Sequence, residues 1–197
     1  VAGNLRVEKI AMLGTWQGDG PRRAIQLLNR PPGPNGTTLY TPAYGGATPT
    51  GSGIVEAVLS PFPAATPNTD LVGTVTENRR GGTPIPRGGA VLAAKGTAAQ
   101  RLLIEAFAGL PVTVRLILRP DWRDVPEGLG GGPVIVRAGK PIFNALEDFG
   151  SDHLNGRHPR TAVGQRADGR IIMLVVDGRR RGYSAGMTNF ELAQAMI

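Results

Sequence analysis

The stretch from His158 to Thr188 constrains the fold of this chain more than any other. It opens with His158-Pro159-Arg160-Thr161-Ala162-Val163-Gly164 and continues to Asp168-Gly169. An unbroken apolar run, Ile171 to Val176, follows, and then Asp177-Gly178-Arg179 and Tyr183-Ser184-Ala185-Gly186-Met187-Thr188. Asp-Gly between two strand-like runs signals a hairpin, because a two-residue turn needs φ > 0 at both positions. The spacing predicts strands over 160–166 and 170–176. A two-residue loop sets Ala167 opposite Arg170, Gly164 opposite Met173, Ala162 opposite Val175 and Arg160 opposite Asp177. Directly opposed residues share a face, with Cβ atoms roughly 4.5–5.5 Å apart. The expectation is therefore a guanidinium beside a carboxylate at the open end of the hairpin. Gly164 is the place where a bulge would break this register.

A capped helix is predicted next. Thr188 and Glu191 form a Thr-x-x-Glu capping box, and Met187 and Leu192 are placed as a hydrophobic staple. The helix runs through Phe190, Leu192, Ala193, Ala195, Met196 and Ile197 with no glycine, proline or basic last turn to stop it. An apolar helix without a stop reads as part of a longer polypeptide.

Elsewhere, turn residues dominate. The 29 glycines and 17 prolines point to many turns, hence to an α+β fold that is β-rich, with mixed sheets and two or so helices, in a single domain over 1–197. Strands are expected at 37–40, 54–59, 71–76, 90–94, 112–118 and 133–137, with Ala138-Gly139 as a turn. A helix is expected from the Thr97/Gln100 capping box to about Ala108, ended by Gly109 and Pro111. Residues 142–155 read as irregular or as one helical turn. Trp16 falls in the Gly14–Gly20 turn region and reads as an edge or interface aromatic.

The formal net charge is +7, from 22 basic and 15 acidic residues, and only three of the basic residues are lysine. This fits an anionic partner, or simply solvated arginines in an arginine-rich composition. Aromatic residues make up 5%, which argues against a base-stacking platform. No nucleic-acid-binding motif is visible, so no nucleic acid partner is expected. With no cysteine, disulfides, thiolate metal sites and cysteine nucleophiles are excluded. No apolar run reaches the length of a membrane span.

Several residues could carry chemistry. Gly128-Leu129-Gly130-Gly131-Gly132 could form an anion nest, but it lacks the spacing of a P-loop or a dinucleotide fingerprint. His153 and His158 would need a third partner besides Asp152 to hold a metal; the alternative is two surface-loop histidines, and neither a metal nor a cofactor is expected. Glu147, Asp148 and Asp152 form an acidic cluster that could serve glycoside chemistry or simply face solvent. Arg160 with Asp177 carries two readings. In one, Arg160 grips a phosphate or sugar oxygen through its planar fork while Asp177 orients it or acts directly. In the other, the two are a cross-strand ion pair. Arg179-Arg180-Arg181 beside them is either a solvated loop or the rim of an anion site. Gly182-Tyr183-Ser184-Ala185-Gly186 matches the letters of a nucleophile elbow. That elbow, however, must follow a strand at once and open a helix, whereas the helix here begins at Thr188.

In combination, these segments resemble the phosphodiester glycosidase family, that of N-acetylglucosamine-1-phosphodiester α-N-acetylglucosaminidase and its bacterial relatives. The matching pieces are Gly130 to Lys140, His158 to Gly164, Val176 to Arg179, Tyr183 to Thr188 and Glu191-Leu192-Ala193, in the expected order. Asn29-Arg30-Pro31 and Leu39-Tyr40-Thr41-Pro42 resemble the bacterial branch, so the likeness spans 29–197. Two family segments are absent, an upstream Asn-Ala/Gly-Gly-Phe-Phe type and a Leu-Asp-Gly-Gly-Gly-Ser that would follow the final helix. The resemblance implies a partial catalytic domain that a further segment or chain completes. It implies hydrolysis of a sugar-1-phosphodiester, or recognition of a cell-envelope glycan by a non-catalytic module of the same fold, in a secreted or envelope protein. It implies Arg160 and Asp177 as catalytic residues. Arg160, Thr161, His158, Gly131, Gly132 and Ser184 are the implied substrate ligands. Such a reaction expels a phosphate from an oxocarbenium-like state, so stabilising that phosphate matters more than strong acid catalysis.

Overall fold

The computed structural model describes residues 6, 8, 10–121, 125, 128–142 and 149–197. The chain divides into two compact units, Ile10–Val125 and a second made of Val1–Lys9 with Pro126–Ile197. The fold is β-rich with few helices, as the composition predicts.

The Ile10–Val125 unit is built on β1 (Ala11–Gln17), β2 (Arg23–Ile25), β3 (Leu27–Leu28), β4 (Thr37–Tyr40), β5 (Ile54–Leu59), β6 (Asp70–Arg79), β7 (Ala90–Lys95) and β8 (Pro111–Arg119), with helix α1 (Thr97–Glu105). The strand order is β2-β1-β8-β6-β5-β7-β4-β3. Neighbours are antiparallel except the parallel pair β3–β4. The two ends of this order, β2 and β3, are separated in sequence only by Gln26. Gln26 bonds β4 twice: its N–H donates to Thr37 O at 3.0 Å, and its Oε1 accepts from Thr37 N–H at 2.6 Å. The mixed sheet therefore nearly closes on itself, which leaves few unpaired edges.

Alternation along the strands sends Leu39, Ala57, Leu59, Val75, Leu92, Val112 and Val114 into one core, where Ala99 and Leu102 of α1 join them. Trp16 belongs to this core. It lies within β1 opposite Val114 and is 1% exposed, so its reading as an edge or interface aromatic is corrected: the turn begins after Gln17 rather than at Gly14. Thr97 is also corrected. It is the first helical residue rather than a cap, α1 is capped at Gly96 without a side-chain bond, and Thr97 instead bonds Asn35 Oδ1 through its N–H at 3.0 Å and its hydroxyl at 3.3 Å.

The second unit contains β9 (Val136–Arg137), β10 (Lys140–Pro141), α2 (Ser151–Asn155), β11 (Arg160–Gln165), β12 (Ile171–Val176) and α3 (Asn189–Ala195). The strand expected over 133–137 shortens to two residues. β9 and β10 meet at Ala138-Gly139, whose φ values of 50° and 70° suit a two-residue turn of type I′. The capping box of α3 forms in both directions: Glu191 N–H donates to Thr188 Oγ1 at 3.2 Å, and Thr188 N–H to Glu191 Oε2 at 2.9 Å.

β11 and β12 form the predicted hairpin, in a different register. Its loop has three residues, not two: Arg166 N–H bonds Arg170 O at 2.8 Å, and Gly169 N–H returns to Arg166 O at 2.9 Å. Only Gly169 within this loop has positive φ, 86°. Asp168 instead folds onto Arg170, accepting from its N–H at 3.1 Å and its Nε–H at 2.8 Å. This is the geometry of a type I turn followed by a glycine bulge. The pairing moves by one residue, so Arg160 opposes Val176, Ala162 opposes Leu174 and Gln165 opposes Ile171. A one-residue change exchanges the faces of a strand. The expected Arg160–Asp177 pairing is therefore overturned, and Asp177 lies one position beyond the ladder.

Candidate functional site

Arg160 is buried, although it stands at the start of a two-stranded ribbon. Its Nε–H donates to Met187 O at 3.0 Å, and its Nη2 donates to His153 O at 2.9 Å and Gly156 O at 2.8 Å. The guanidinium thus ties the C-terminal end of α2, where carbonyls lack helical partners, to the segment that leads into α3. Burial lowers its pKa from the ordinary arginine value, partly offset by the charge of Asp152. These contacts turn the fork toward backbone carbonyls.

His158, two residues earlier, is the centre of the second unit's polar cluster. Its main chain exchanges bonds with Met187, N–H to O at 3.2 Å and O from N–H at 3.0 Å. Its Nε2 lies 3.0 Å from Asp152 O and 3.2 Å from Asp152 Oδ2, and its Nδ1 meets Arg179 Nη2. A guanidinium can only donate, so Nδ1 accepts and Nε2 carries the proton. Three glycines make room for this residue. A Cβ at Gly186 (φ 85°) would sit 2.3 Å from His158 O, one at Gly178 2.9 Å from His158 C, and one at Gly156 2.6 Å from His158 Nε2.

Beyond Gly178 the chain forms a basic depression of about 330 Å³, lined by Arg179, Arg180, Arg181, Tyr183 and Ser184 among others. Arg179 takes a φ of 56°, rare for a residue with a side chain. Arg180 lies over the Tyr183 ring, 4.8 Å from its centroid, and Tyr183 is otherwise exposed. Asp177 is exposed at this edge, and its Oδ2 accepts from Tyr183 OH at 3.3 Å. Ser184 Oγ donates to Asp177 O at 2.6 Å and accepts from Gly186 N–H at 3.2 Å. Its hydroxyl thus braces the loop. Ser184 does not sit at a strand-to-helix elbow, because α3 begins five residues later.

The structure therefore gathers His158, Asp177 and Ser184 with Arg179 in one cluster and uses Arg160 as its clamp. Thr161 faces outward from β11 and is exposed. Gly131 and Gly132 lie in an exposed stretch ahead of β9, and among the described residues neither is hydrogen-bonded to the cluster. Glu147 and Asp148 lie outside the described residues. Among the described residues, no group of three or more His, Asp or Glu has the geometry to hold a metal ion, and no helix is long and apolar enough to cross a membrane. The sequence offers Arg179 only as part of a basic run that is either a solvated loop or the rim of an anion site, and it gives Gly156, Gly178 and Gly186 no role. The Asp177-Gly178-Arg179 and Ser184-Ala185-Gly186-Met187 pieces carry a signal for Gly178 and Gly186, whereas nothing local marks Gly156.

The sequence profile of the phosphodiester glycosidase family matches residues 64–197. A 44-residue segment is 41% identical to the SPbeta prophage-derived uncharacterized protein YomE of Bacillus subtilis, covering 22% of this chain and 7% of that protein. Among solved structures, a hypothetical protein from Synechocystis superposes with a TM-score of 0.69 at 24% identity, covering 95% of this chain and 34% of that one. A protein of Burkholderia pseudomallei, named as a candidate exported protein, gives 0.67 at 22% identity over 95% of this chain and 45% of that one. The two solved structures share the fold. This chain spans less than half of their length and a small part of the prophage protein.

Proposed function

This chain belongs to the phosphodiester glycosidase family, and from that premise we propose that it takes part in hydrolysing a sugar-1-phosphodiester. Water would add to the anomeric carbon while the carbon–oxygen bond to phosphate breaks, and the phosphate would leave with the bonding electrons. The observation that carries this reading is the depression at Arg179–Ser184. It presents three arginines, an exposed aromatic ring and the Asp177 carboxylate at one edge. Guanidinium groups suit phosphate oxygens, and an exposed tyrosine offers a flat apolar face to a sugar ring. Asp177 is then the carboxylate nearest the reacting bond. The departing phosphate monoester is already a good leaving group, so the arginines would supply most of the stabilisation.

In this reading Arg160 and His158 build the site from behind. A secreted or cell-envelope location is in keeping with the name of the Burkholderia relative and with glycan phosphodiesters as substrates. Binding of an anionic cell-envelope glycan without cleavage is the second reading. It is favoured by the engagement of Arg160 Nε and Nη2 with backbone carbonyls rather than with a ligand site.

The test is turnover of N-acetylglucosamine 1-phosphodiesters by the full-length protein and by Asp177→Asn. The hydrolytic reading expects wild-type turnover and a fall in kcat/KM of about 10²-fold or more in the variant. Binding of the same compounds without turnover would select the second reading.

A further inference from the structure

We infer that His158 is a positioning residue that holds Arg179 as the phosphate-contacting arginine of this family site. The inference rests on the functional reading above and names the anion ligand within it. Four observations carry it. Arg179 is the one residue that both lines the basic depression and bonds His158. Its φ of 56° is a costly conformation for a residue with a Cβ, and such strain persists only where surrounding contacts over-determine it. His158 supplies such a contact, because its Nδ1 accepts one of the five guanidinium N–H groups. No carboxylate among the described residues lies within ion-pair distance of Arg179, so its charge and its remaining donors are left to the depression.

The fourth observation is how firmly His158 itself is held. Its ring is anchored through Nε2–H on Asp152, by the backbone carbonyl at 3.0 Å and the carboxylate at 3.2 Å. Its main chain is locked to Met187 in both directions. Gly156, Gly178 and Gly186 each pack where a Cβ would strike His158 or its peptide neighbours. Asp152 fixes the tautomer, the tautomer turns a lone pair toward Arg179, and the bond turns the guanidinium fork toward the open side. Arg180 and Arg181 add charge to the same depression, but Arg180 is engaged with the Tyr183 ring. A fork held before the ligand arrives loses less freedom on binding, and bidentate geometry is what a phosphate rewards. The ligand class is a phosphate monoanion or dianion carried on a sugar. Arg160, in contrast, is a clamp.

The two nitrogens of His158 can be tested separately. In His158→Asn the amide oxygen takes the place of Nδ1 and can still accept from Arg179. In His158→Gln the amide nitrogen can still reach Asp152, but the Nδ1 acceptor is gone. Binding of inorganic phosphate to the full-length protein is measured by calorimetry, with thermal unfolding recorded for each variant. Wild type is expected to bind phosphate, and Arg179→Gln to lose that binding. His158→Gln is expected to weaken it about tenfold and His158→Asn to stay near wild type. The double variant His158→Gln/Arg179→Gln should fall no further than Arg179→Gln alone, because the two act as one unit. Equal weakening by Asn and Gln, or weakening that follows the unfolding temperature, overturns the positioning role. So does phosphate binding in Arg179→Gln equal to wild type, or no phosphate binding at all by the wild type. The failures of the two readings are separable. Phosphate binding with this pattern but without phosphodiester turnover upholds the inference and removes hydrolysis. Turnover that is indifferent to Arg179 and His158 does the reverse.

Discussion

At the scale of single residues, the arginines divide by what surrounds their forks. Arg160 directs its Nε–H and Nη2 to three backbone carbonyls while buried. Arg160→Ala would leave Gly156 O without its donor, while Met187 O keeps the His158 N–H and His153 O keeps Asn189 Nδ2, and losing the partner of a polar group is costly. The expected cost is about 1–3 kcal/mol, read from urea unfolding of the full-length protein, and any loss of activity should follow the unfolded fraction. Arg23 pairs with a carboxylate instead. Its Nε–H donates to Glu105 Oε2 at 2.9 Å and its Nη2 bonds the other oxygen. That hydrogen bond is the main reason Glu105 titrates below the ordinary carboxylate range, with burial opposing it. A depressed carboxylate gives stability that is present above its unfolded value and lost as pH falls through the folded one. Thermal unfolding should therefore show the wild type losing more stability than Glu105→Gln below about pH 4.5. Parallel acid profiles for the two proteins would contradict this.

At the scale of elements, a loop of three residues decides the hairpin. Asp168 binds Arg170 through both main chain and side chain, and Gly169 alone takes the positive φ. The resulting register turns Arg160, Ala162, Gly164, Ile172, Leu174 and Val176 to the more buried face, and leaves Thr161, Val163, Met173 and Val175 exposed. Asp168→Asn would place Asn-Gly at 168–169 and favour a two-residue turn, and with it the register that sets Ala167 opposite Arg170. Arg160 would then face away from its carbonyls. The expected result is loss of the second unit's cooperative unfolding, seen as loss of slow amide exchange at His158 and Met187. Retained protection would show that tertiary contacts, rather than the turn, set the pairing.

For the whole molecule, the two units differ in how they bury apolar surface. The Ile10–Val125 unit closes an eight-stranded sheet around a core that includes Trp16, Leu39, Leu59, Leu92, Leu102 and Val114. Among its described residues, Pro126–Ile197 contributes two two-stranded sheets and two short helices, and a lone hairpin is marginal in water. A polypeptide of residues 10–125 is expected to unfold cooperatively by itself, with strand-type circular dichroism and dispersed amide resonances. One of residues 126–197 should lack both. A fragment 10–125 without a cooperative transition would refute this account of the core.

The sequence by itself determined what depends on neighbours along the chain. It specified the β-rich class, the strands at 37–40 and 54–59, the Ala138-Gly139 turn, the Thr188/Glu191 capping box and the family likeness of the C-terminal segments. Each is set by periodicity, by backbone freedom or by a bond spanning three residues. Tertiary structure decided the rest. Trp16 became core because β1 is flanked by β2 and β8, and Thr97 lost its capping role because Asn35 was within reach. Arg160 became a clamp because the loop at Gly169 moved the pairing by one residue and because carbonyls of α2 and Met187 converge on it. The bond from His158 to Arg179 joins residues 21 positions apart, around glycines whose need for space appears only once the backbones meet. Spacing in sequence carries no such distance, and the candidate site lies in it.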